Sequence, residues 1–382
     1  MVNVAHAVPQ VPRIGLLGGG FMGRVHSRAA RSAGAVLDSV SASSPTRSAE
    51  VADELGFGRP ASGTELFERS LDVIHICTPN DVHAAQSLQA LDAWANIICE
   101  KPLATNSSDA RAVLARAEEA GLLGTVPFVY RYHPMVREAR ARFREGRAGT
   151  LLTVDAGYLQ DWLLGSGDEN WRVDFERGGP SRAFADIGSH LVDLIEFIVG
   201  DRISSLVATR RTVHPRRGGS AVTTEDTVAV TVEFSGGAIG SLLVSQLAPG
   251  RKNGLTVEIA GTKASMRFEQ ERPEQLWFGQ RADSRLLVRD PDSLSADAAR
   301  LCMVPAGHPQ GYQDAFNAFV ADSYAYFAGE RPEGLPTLRD GVRAVLVTEA
   351  VLRSVRERAW VDVESLGGLG VPASRVAGAR PS

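Results

Sequence analysis

Cysteine is scarce in this chain: Cys77, Cys99 and Cys302 are the 3 in 382 residues, widely spaced and with no C-x-x-C pair. That excludes a disulfide scaffold and a thiolate zinc site. Cys77 and Cys99 fall inside apolar strand-like runs, where cysteine packs as a small hydrophobe. An excess of positive charge is also missing. Lys and Arg number 41 against 45 Asp and Glu, a net charge of −4, so there is no basic field for nucleic acid and no cationic face for a membrane. No apolar run approaches the roughly 20 residues of a membrane span. Residues 1–11 lack a charged segment followed by an apolar core, so they read as a flexible leader and not as a signal peptide. The setting these absences imply is reducing and cytoplasmic. Bulky apolar residues run out near the end, where residues 366–382 are rich in Gly, Ala, Pro and Ser, and the expectation there is a disordered tail.

What remains is ordinary for a globular enzyme: 44% hydrophobic and 23% charged residues, with length for about two domains at ~100–200 residues each. The first third alternates strand-like runs (Arg13–Gly18, Val36–Ala42, Val73–Thr78, Ala95–Cys99, Leu123–Tyr130) with helical stretches (Ser48–Leu55, His83–Leu91, Ser108–Ala120). That alternation predicts βαβ units on a parallel sheet. Ser107-Ser108-Asp109 is the expected N-cap of the third helix, and Gly121 its stop. Beyond residue 150 the pattern turns β-rich and hairpin-like, over Ile203–Thr212, Asp226–Phe234, Ala238–Gln246, Leu255–Ala260 and Ala264–Phe268. This predicts an antiparallel sheet of meanders. Helices are expected at Asp186–Val199, Gln313–Ala328 and Leu338–Val355. The fold class is therefore α/β: an N-terminal Rossmann domain over 12–132, then an α+β domain over 133–365 with a large, mostly antiparallel open sheet.

The first strand runs directly into Gly18-x-Gly20-x-x-Gly23, and a helical run follows. A dinucleotide-binding turn needs this order. The first glycine makes the turn, the second lets backbone approach a pyrophosphate, and the third lets helix and strand pack closely. Phe21 and Met22 lie within it. A second signature follows at the ends of later strands: Thr78-Pro79-Asn80 with His83, then Glu100-Lys101-Pro102. Ligands of such sheets bind beyond the carboxyl ends of the strands, so Lys101 is placed to orient a substrate hydroxyl. The third constellation is Asp186-x-x-x-His190, with Asp193 three residues on. On a helix Asp186 and His190 share a face, and a histidine beside a carboxylate can take a proton near neutral pH. The same spacing could hold a metal, but no third ligand is placed to complete the set, so no metal is expected.

Taken in order, these signatures resemble the glucose–fructose oxidoreductase and inositol dehydrogenase family. The matching pieces are Gly18–Gly23 with His26, Thr78-Pro79-Asn80 with His83, Glu100-Lys101-Pro102, Arg131-Tyr132-His133-Pro134, and Gly178-Gly179 leading to Asp186-x-Gly188-x-His190-Leu191-Val192-Asp193. The resemblance covers about residues 12–362. It implies NAD or NADP as cofactor and Lys101, Asp186 and His190 as a catalytic trio, with His190 the acid/base. Gly179-Pro180-Ser181-Arg182-Ala183, Tyr158–Trp162 and His308–Tyr312 look like the levoglucosan dehydrogenase-like branch.

One departure concerns the cofactor. Many members end the second strand with an aspartate that holds the ribose hydroxyls, whereas this chain reads Ala42-Ser43-Ser44-Pro45-Thr46-Arg47, and Asp38 lies too early. Ser43, Ser44 and Arg47 could donate to a 2′-phosphate, yet serines serve free ribose hydroxyls equally. Tyr158, Gln160 and Trp162 alternate and so are expected on one strand face. With Tyr130, Arg172 and His308 they supply the planar and hydrogen-bonding groups that suit a polyol. The expected activity is oxidation of a secondary ring hydroxyl of a sugar, anhydrosugar or cyclitol by a homo-oligomer, a dimer or tetramer. The alternatives are an NAD-dependent glycosidase of the same superfamily and a non-catalytic nucleotide sensor.

Overall fold

The structure, a computed structural model, describes residues 11–365, so the expected tail at 366–382 and all but one residue of the expected leader lie outside the described residues. The apolar runs of the first third become β1 (Arg13–Leu17), β2 (Val36–Ser41), β3 (Arg59–Pro60), β4 (Val73–Ile76), β5 (Asn96–Cys99) and β6 (Gly124–Thr125). They form one sheet in the order β3-β2-β1-β4-β5-β6, every pairing parallel. β4 and β5 are buried along their whole length, which is why they read as continuous apolar runs and not as alternating ones. Strand order reverses between β1 and β4, and a crevice opens beyond their carboxyl ends.

Two local expectations are corrected here. The run expected as a strand over Leu123–Tyr130 is extended only at Gly124–Thr125. Pro127 cannot donate to a ladder, and Val129–Tyr132 coils into a 3₁₀ turn. The helix Ser107–Ala120 is capped one residue earlier than expected: the Asn106 side chain accepts the Asp109 N–H at 2.9 Å. Gly121 ends that helix in the left-handed region, at φ 68°.

The second sheet comprises β7 (Leu151–Leu159), β8 (Ile203–Arg211), β11 (Thr227–Phe234), β12 (Ile239–Ser245), β13 (Gly254–Gly261), β14 (Ser265–Glu269), β15 (Gln275–Gly279), β16 (Ser284–Val288) and β17 (Val361–Asp362). A short hairpin, β9 (Arg216–Arg217) with β10 (Ser220–Ala221), lies beside it. Its order is β16-β15-β14-β13-β7-β12-β11-β8-β17. The meander expected from the pattern is split by β7, which inserts between β13 and β12 and runs parallel to β12. β11 alternates buried and exposed residues, as a sheet with one covered face must. The helix Ser189–Val199, every residue of which is buried, covers part of that face, and the helices Pro134–Arg144 and Leu338–Glu357 pack on the rest. The late helix Tyr312–Phe327 returns to the first sheet, and Phe316 and Phe319 share a core with Leu16 and Val25.

A fully buried ion cluster ties the hairpin to the site's approach. Asp226 accepts from Arg182, from Arg217 at 3.3 Å and from the Val213 N–H at 2.6 Å. Arg217 also donates to Leu163 O at 2.7 Å and to Asp168 O at 3.1 Å. Asp226→Ala leaves two buried guanidiniums without their counter-ion. It should cost about 3–5 kcal/mol, the scale for breaking a buried pair on one side. Denaturant unfolding reads this, and a loss under about 1 kcal/mol would contradict it.

Candidate active site

The turn after β1 satisfies each demand made of its glycines. Gly18 sits at φ 98°, and a Cβ there would lie 2.4 Å from Cys77 O. At Gly23 a Cβ would lie 2.2 Å from Gly18 O, so helix and turn touch there. Gly20 has nothing within 4 Å of its Cβ position, which leaves open backbone at the N-terminus of the helix Phe21–Ser32. That is the geometry an anionic pyrophosphate requires. A cleft of about 750 Å³ extends from this turn. Ala42, Ser43 and Arg47 line one end, and Thr78, Pro79, Asn80, His83, Glu100 and Lys101 line the other. Ser44 is not on the wall, because its hydroxyl accepts the Arg47 N–H at 3.1 Å as a helix cap. Asn80 and His83 are held within the protein. Asn80 donates to Gly178 O at 2.9 Å, and the His83 ring bridges Pro102 O at 2.7 Å and Thr78 O at 2.8 Å.

A second cavity of about 530 Å³ opens off the cleft and shares Phe21, Met22, Glu100, Lys101, Asn170 and Arg172 with it. Lys101 follows β5, and Asp186 sits in the π-helical turn Phe184–Gly188, an irregularity that favours functional sites. His190 lies in the first turn of the helix Ser189–Val199. Lys101 Nζ donates to Asp186 Oδ1 at 2.6 Å and to Asp186 O at 2.9 Å. Arg172 Nε reaches Oδ1 at 3.2 Å, and Gln246 Nε2 reaches Oδ2 at 3.0 Å. The expected side-by-side pairing of Asp186 with His190 is thereby corrected. Three donors occupy the carboxylate, while His190 Nδ1 is buried and unpartnered.

Electrostatics follow from these positions. Burial would raise the Asp186 carboxyl, but Lys101 and Arg172 outweigh it and hold the group well below the usual carboxylate range. Burial lowers the His190 imidazole from 6.5 to about 3, and the Lys101 ammonium adds to the shift against the smaller opposing pull of Glu100 and Asp186. His190 is therefore neutral at neutral pH and able to accept a proton.

Tyr130, Tyr158, Gln160 and Trp162 line the second cavity. Their common placement does not arise from one strand face, since β7 ends at Leu159. A hydrogen-bonded set holds them together. Asn253 Oδ1 accepts from Tyr158 at 2.6 Å and from Gln160 at 3.0 Å, Tyr130 and Tyr158 hydroxyls meet at 2.5 Å, and Trp162 Nε1 donates to Gln160 at 2.8 Å. His308 is corrected: it is exposed and off the cavity wall, and its carbonyl accepts from Arg289 at 2.6 Å. Tyr312 lines the wall instead. Sequence reasoning missed Asn253 and Gln246, since a lone amide in a β-rich region carries no local signal. Among the described residues, no group of three or more His, Cys, Asp or Glu is placed to hold a metal ion.

A parallel sheet of this order, a glycine turn open to a pyrophosphate, and a neutral histidine near a lysine define a Rossmann-type oxidoreductase. Residues 12–128 match the oxidoreductase family with an NAD-binding Rossmann fold, and residues 136–267 match the GFO/IDH/MocA C-terminal domain. The levoglucosan dehydrogenase of Pseudarthrobacter phenanthrenivorans is 29% identical over 393 residues, spanning 92% of this chain and 98% of that protein. An oxidoreductase domain protein from Kribbella flavida is 32% identical with a TM-score of 0.87, over 94% of this chain and 100% of that one. Levoglucosan dehydrogenase in complex with NADH and levoglucosan is 29% identical with a TM-score of 0.88, over 93% and 100%. The chain belongs to the GFO/IDH/MocA family of NAD-binding oxidoreductases.

Proposed function

We propose that this protein oxidises a secondary ring hydroxyl of a sugar, anhydrosugar or cyclitol, with Lys101, Asp186 and His190 as the reacting-centre residues. One observation carries this reading: the three converge where the dinucleotide cleft meets a cavity walled by phenols, amides and an indole. Aromatic faces stack on the C–H faces of a ring while hydrogen-bonding groups take its hydroxyls. NAD or NADP, bound along the glycine turn, would supply the hydride acceptor. His190 takes the hydroxyl proton as general base. Lys101, held by Asp186, presents its ammonium to the same oxygen and stabilises negative charge as the proton leaves. Tyr130, Tyr158, Gln160, Trp162 and Arg172 orient the ring. The levoglucosan dehydrogenase relatives, which match over nearly their whole length, support an anhydrosugar within this class.

The adenosine end bears on cofactor choice. Arg47 is already paired with Glu50 at 2.8 Å and lies 3.8 Å from Glu54, which reduces what it can offer a 2′-phosphate. Ala42→Asp should shift preference toward NAD by about 1–3 kcal/mol, because a carboxylate there accepts both ribose hydroxyls and repels a 2′-phosphate. kcat/KM with each cofactor, in wild type and variant, checks this. An unchanged ratio would mean that this loop does not read the ribose.

Among the described residues, no helix is long and apolar enough to cross a membrane. The free cysteines fit the cytoplasmic setting proposed here. The outer face of the large sheet exposes Leu152, Ile239, Leu243, Leu286 and Val288, which supports a homo-oligomer, dimer or tetramer, built on that face. Glycosides test the reading against a glycosidase: accumulation of reduced nicotinamide supports it, whereas aglycone release with the dinucleotide unchanged would overturn it.

A further inference from the structure

His26, part of the glycine-turn signature, has no place in the mechanism above, yet it is fully buried. It is the middle of a chain of polar groups drawn from distant parts of the sequence. The Tyr324 hydroxyl lies 2.9 Å from His75 Nε2. His75 Nδ1 lies 3.0 Å from His26 Nδ1, and His26 Nε2 lies 3.1 Å from Glu100 Oε1. The other carboxylate oxygen of Glu100 accepts the Lys101 backbone N–H at 3.2 Å. Tyr324, His75 and His26 are enclosed by apolar core, the His26 ring 4.9 Å from that of Phe316.

The hydrogens of this chain can be assigned. Tyr324 has no other hydrogen-bond partner among the described residues, so its proton goes to His75 Nε2. His75 must then donate from Nδ1 to His26 Nδ1, and His26 from Nε2 to Glu100. Any reversal strands the Tyr324 proton in the core, at the cost of an unpaired buried donor. The one pattern that satisfies every member runs through a neutral His75 and ends with His26 donating to Glu100, as suits an ionised carboxylate. Burial agrees at His75, whose imidazole it holds well below its ordinary value. At Glu100 burial works the other way, but the hydrogen bond and electrostatic pull of His26, and after them the neighbouring Lys101, outweigh it and hold the carboxyl low.

We propose that Glu100 is the fixed counter-charge that favours oxidised over reduced dinucleotide at the junction of the two cavities, and that the Tyr324–His75–His26 chain keeps it ionised and in place. This rests on the reading above, in which the hydride acceptor has to meet Lys101 and His190 at that junction. Lys101 and Arg172 face Asp186 and Glu100 there, with His190 neutral, so the formal charges cancel. The oxidised ring brings one positive charge that the reduced ring lacks. Without Glu100 it would enter a site already net positive; with Glu100 it does not. A carboxylate kept only for packing would be replaceable by apolar groups along with its three buried partners.

Equilibrium binding of NAD+ and NADH tests this without turnover. Glu100→Gln should weaken NAD+ on the order of tenfold, the scale of one charge at short range in a partly buried site. NADH affinity should stay within about twofold, and Glu100→Asp, which keeps the charge, should restore the ratio. Loss of both affinities alike, or of neither, would overturn the proposal, as would a Glu100→Asp as impaired as Glu100→Gln. Should Glu100→Gln not fold, Lys101→Met carries the test with the opposite sign: it leaves the junction net negative and must favour NAD+ over NADH, so an unchanged ratio overturns the proposal. A wild type that binds neither dinucleotide would instead defeat the dehydrogenase reading itself.

Discussion

Alanine at His190 is expected to lower turnover about 100- to 10,000-fold, the usual cost of losing a general base, while NAD+ and NADH affinities hold. The ring lines the second cavity and not the nucleotide cleft, which is why binding and chemistry should separate. Its proton affinity sharpens the expectation. The imidazole is lowered from 6.5 to about 3 by burial and the Lys101 charge, so the neutral, accepting form persists well into acid. kcat/KM reports the free enzyme's ionisations, and no loss of activity from His190 should occur between roughly pH 5 and 8. Such a histidine holds a proton weakly. In the proposed mechanism it takes one only as Lys101 stabilises the oxygen left behind, and returns it readily in the reverse direction. Turnover of the alanine variant near wild type would remove His190 from the mechanism.

Lys101→Ala should slow the hydride step by about 100-fold or more, the range for losing one preorganised electrostatic group. Lys101→Arg should not rescue it, because a planar fork does not replace a compact ammonium at one oxygen. The ammonium is held to Asp186 by contacts of 2.6 and 2.9 Å to side chain and backbone, which sets its direction. Two consequences separate this from a general loss of fold. Asp186 keeps Arg172 and Gln246 as partners, so the site stays assembled. The imidazole loses the like charge that helped to depress it, so its pKa moves up toward 6.5 and an acid limb in kcat/KM moves closer to neutrality. Single-turnover appearance of reduced nicotinamide measures the step. An unchanged rate in the alanine variant would contradict the role.

The parallel sheet and its cofactor turn were legible in the sequence because their determinants are local. Gly18, Gly20 and Gly23 act within six residues, and β4 and β5 are short apolar runs buried on both faces. That Lys101 and His190 would be brought together was suggested by their places after a strand and on a helix, and both line one cavity. What was not legible depends on partners far along the chain. Periodicity shows that β7 is a strand but not that it inserts between β13 and β12. Asp186 and His190 are four apart, yet the carboxylate turns to Lys101 because donors 85, 14 and 60 residues away converge on it. His308 resembled a site residue from its neighbours in sequence, but it lies outside, and the cavity is closed by Tyr312. His75 and Tyr324 stand 249 residues apart, and no spacing rule joins them to His26.

Hydride transfer from a ring hydroxyl to a nicotinamide at the junction of the two cavities is the step on which the proposed activity depends. A panel of sugars, anhydrosugars and cyclitols, followed by nicotinamide absorbance with NAD and NADP in separate reactions, tests it most directly. Wild type should reduce the dinucleotide in the presence of at least one such polyol, and this reduction should nearly disappear in His190→Ala protein that still binds NADH. Reduction unaffected by His190→Ala, or none with any member of the panel by a protein that binds the cofactor, would contradict it.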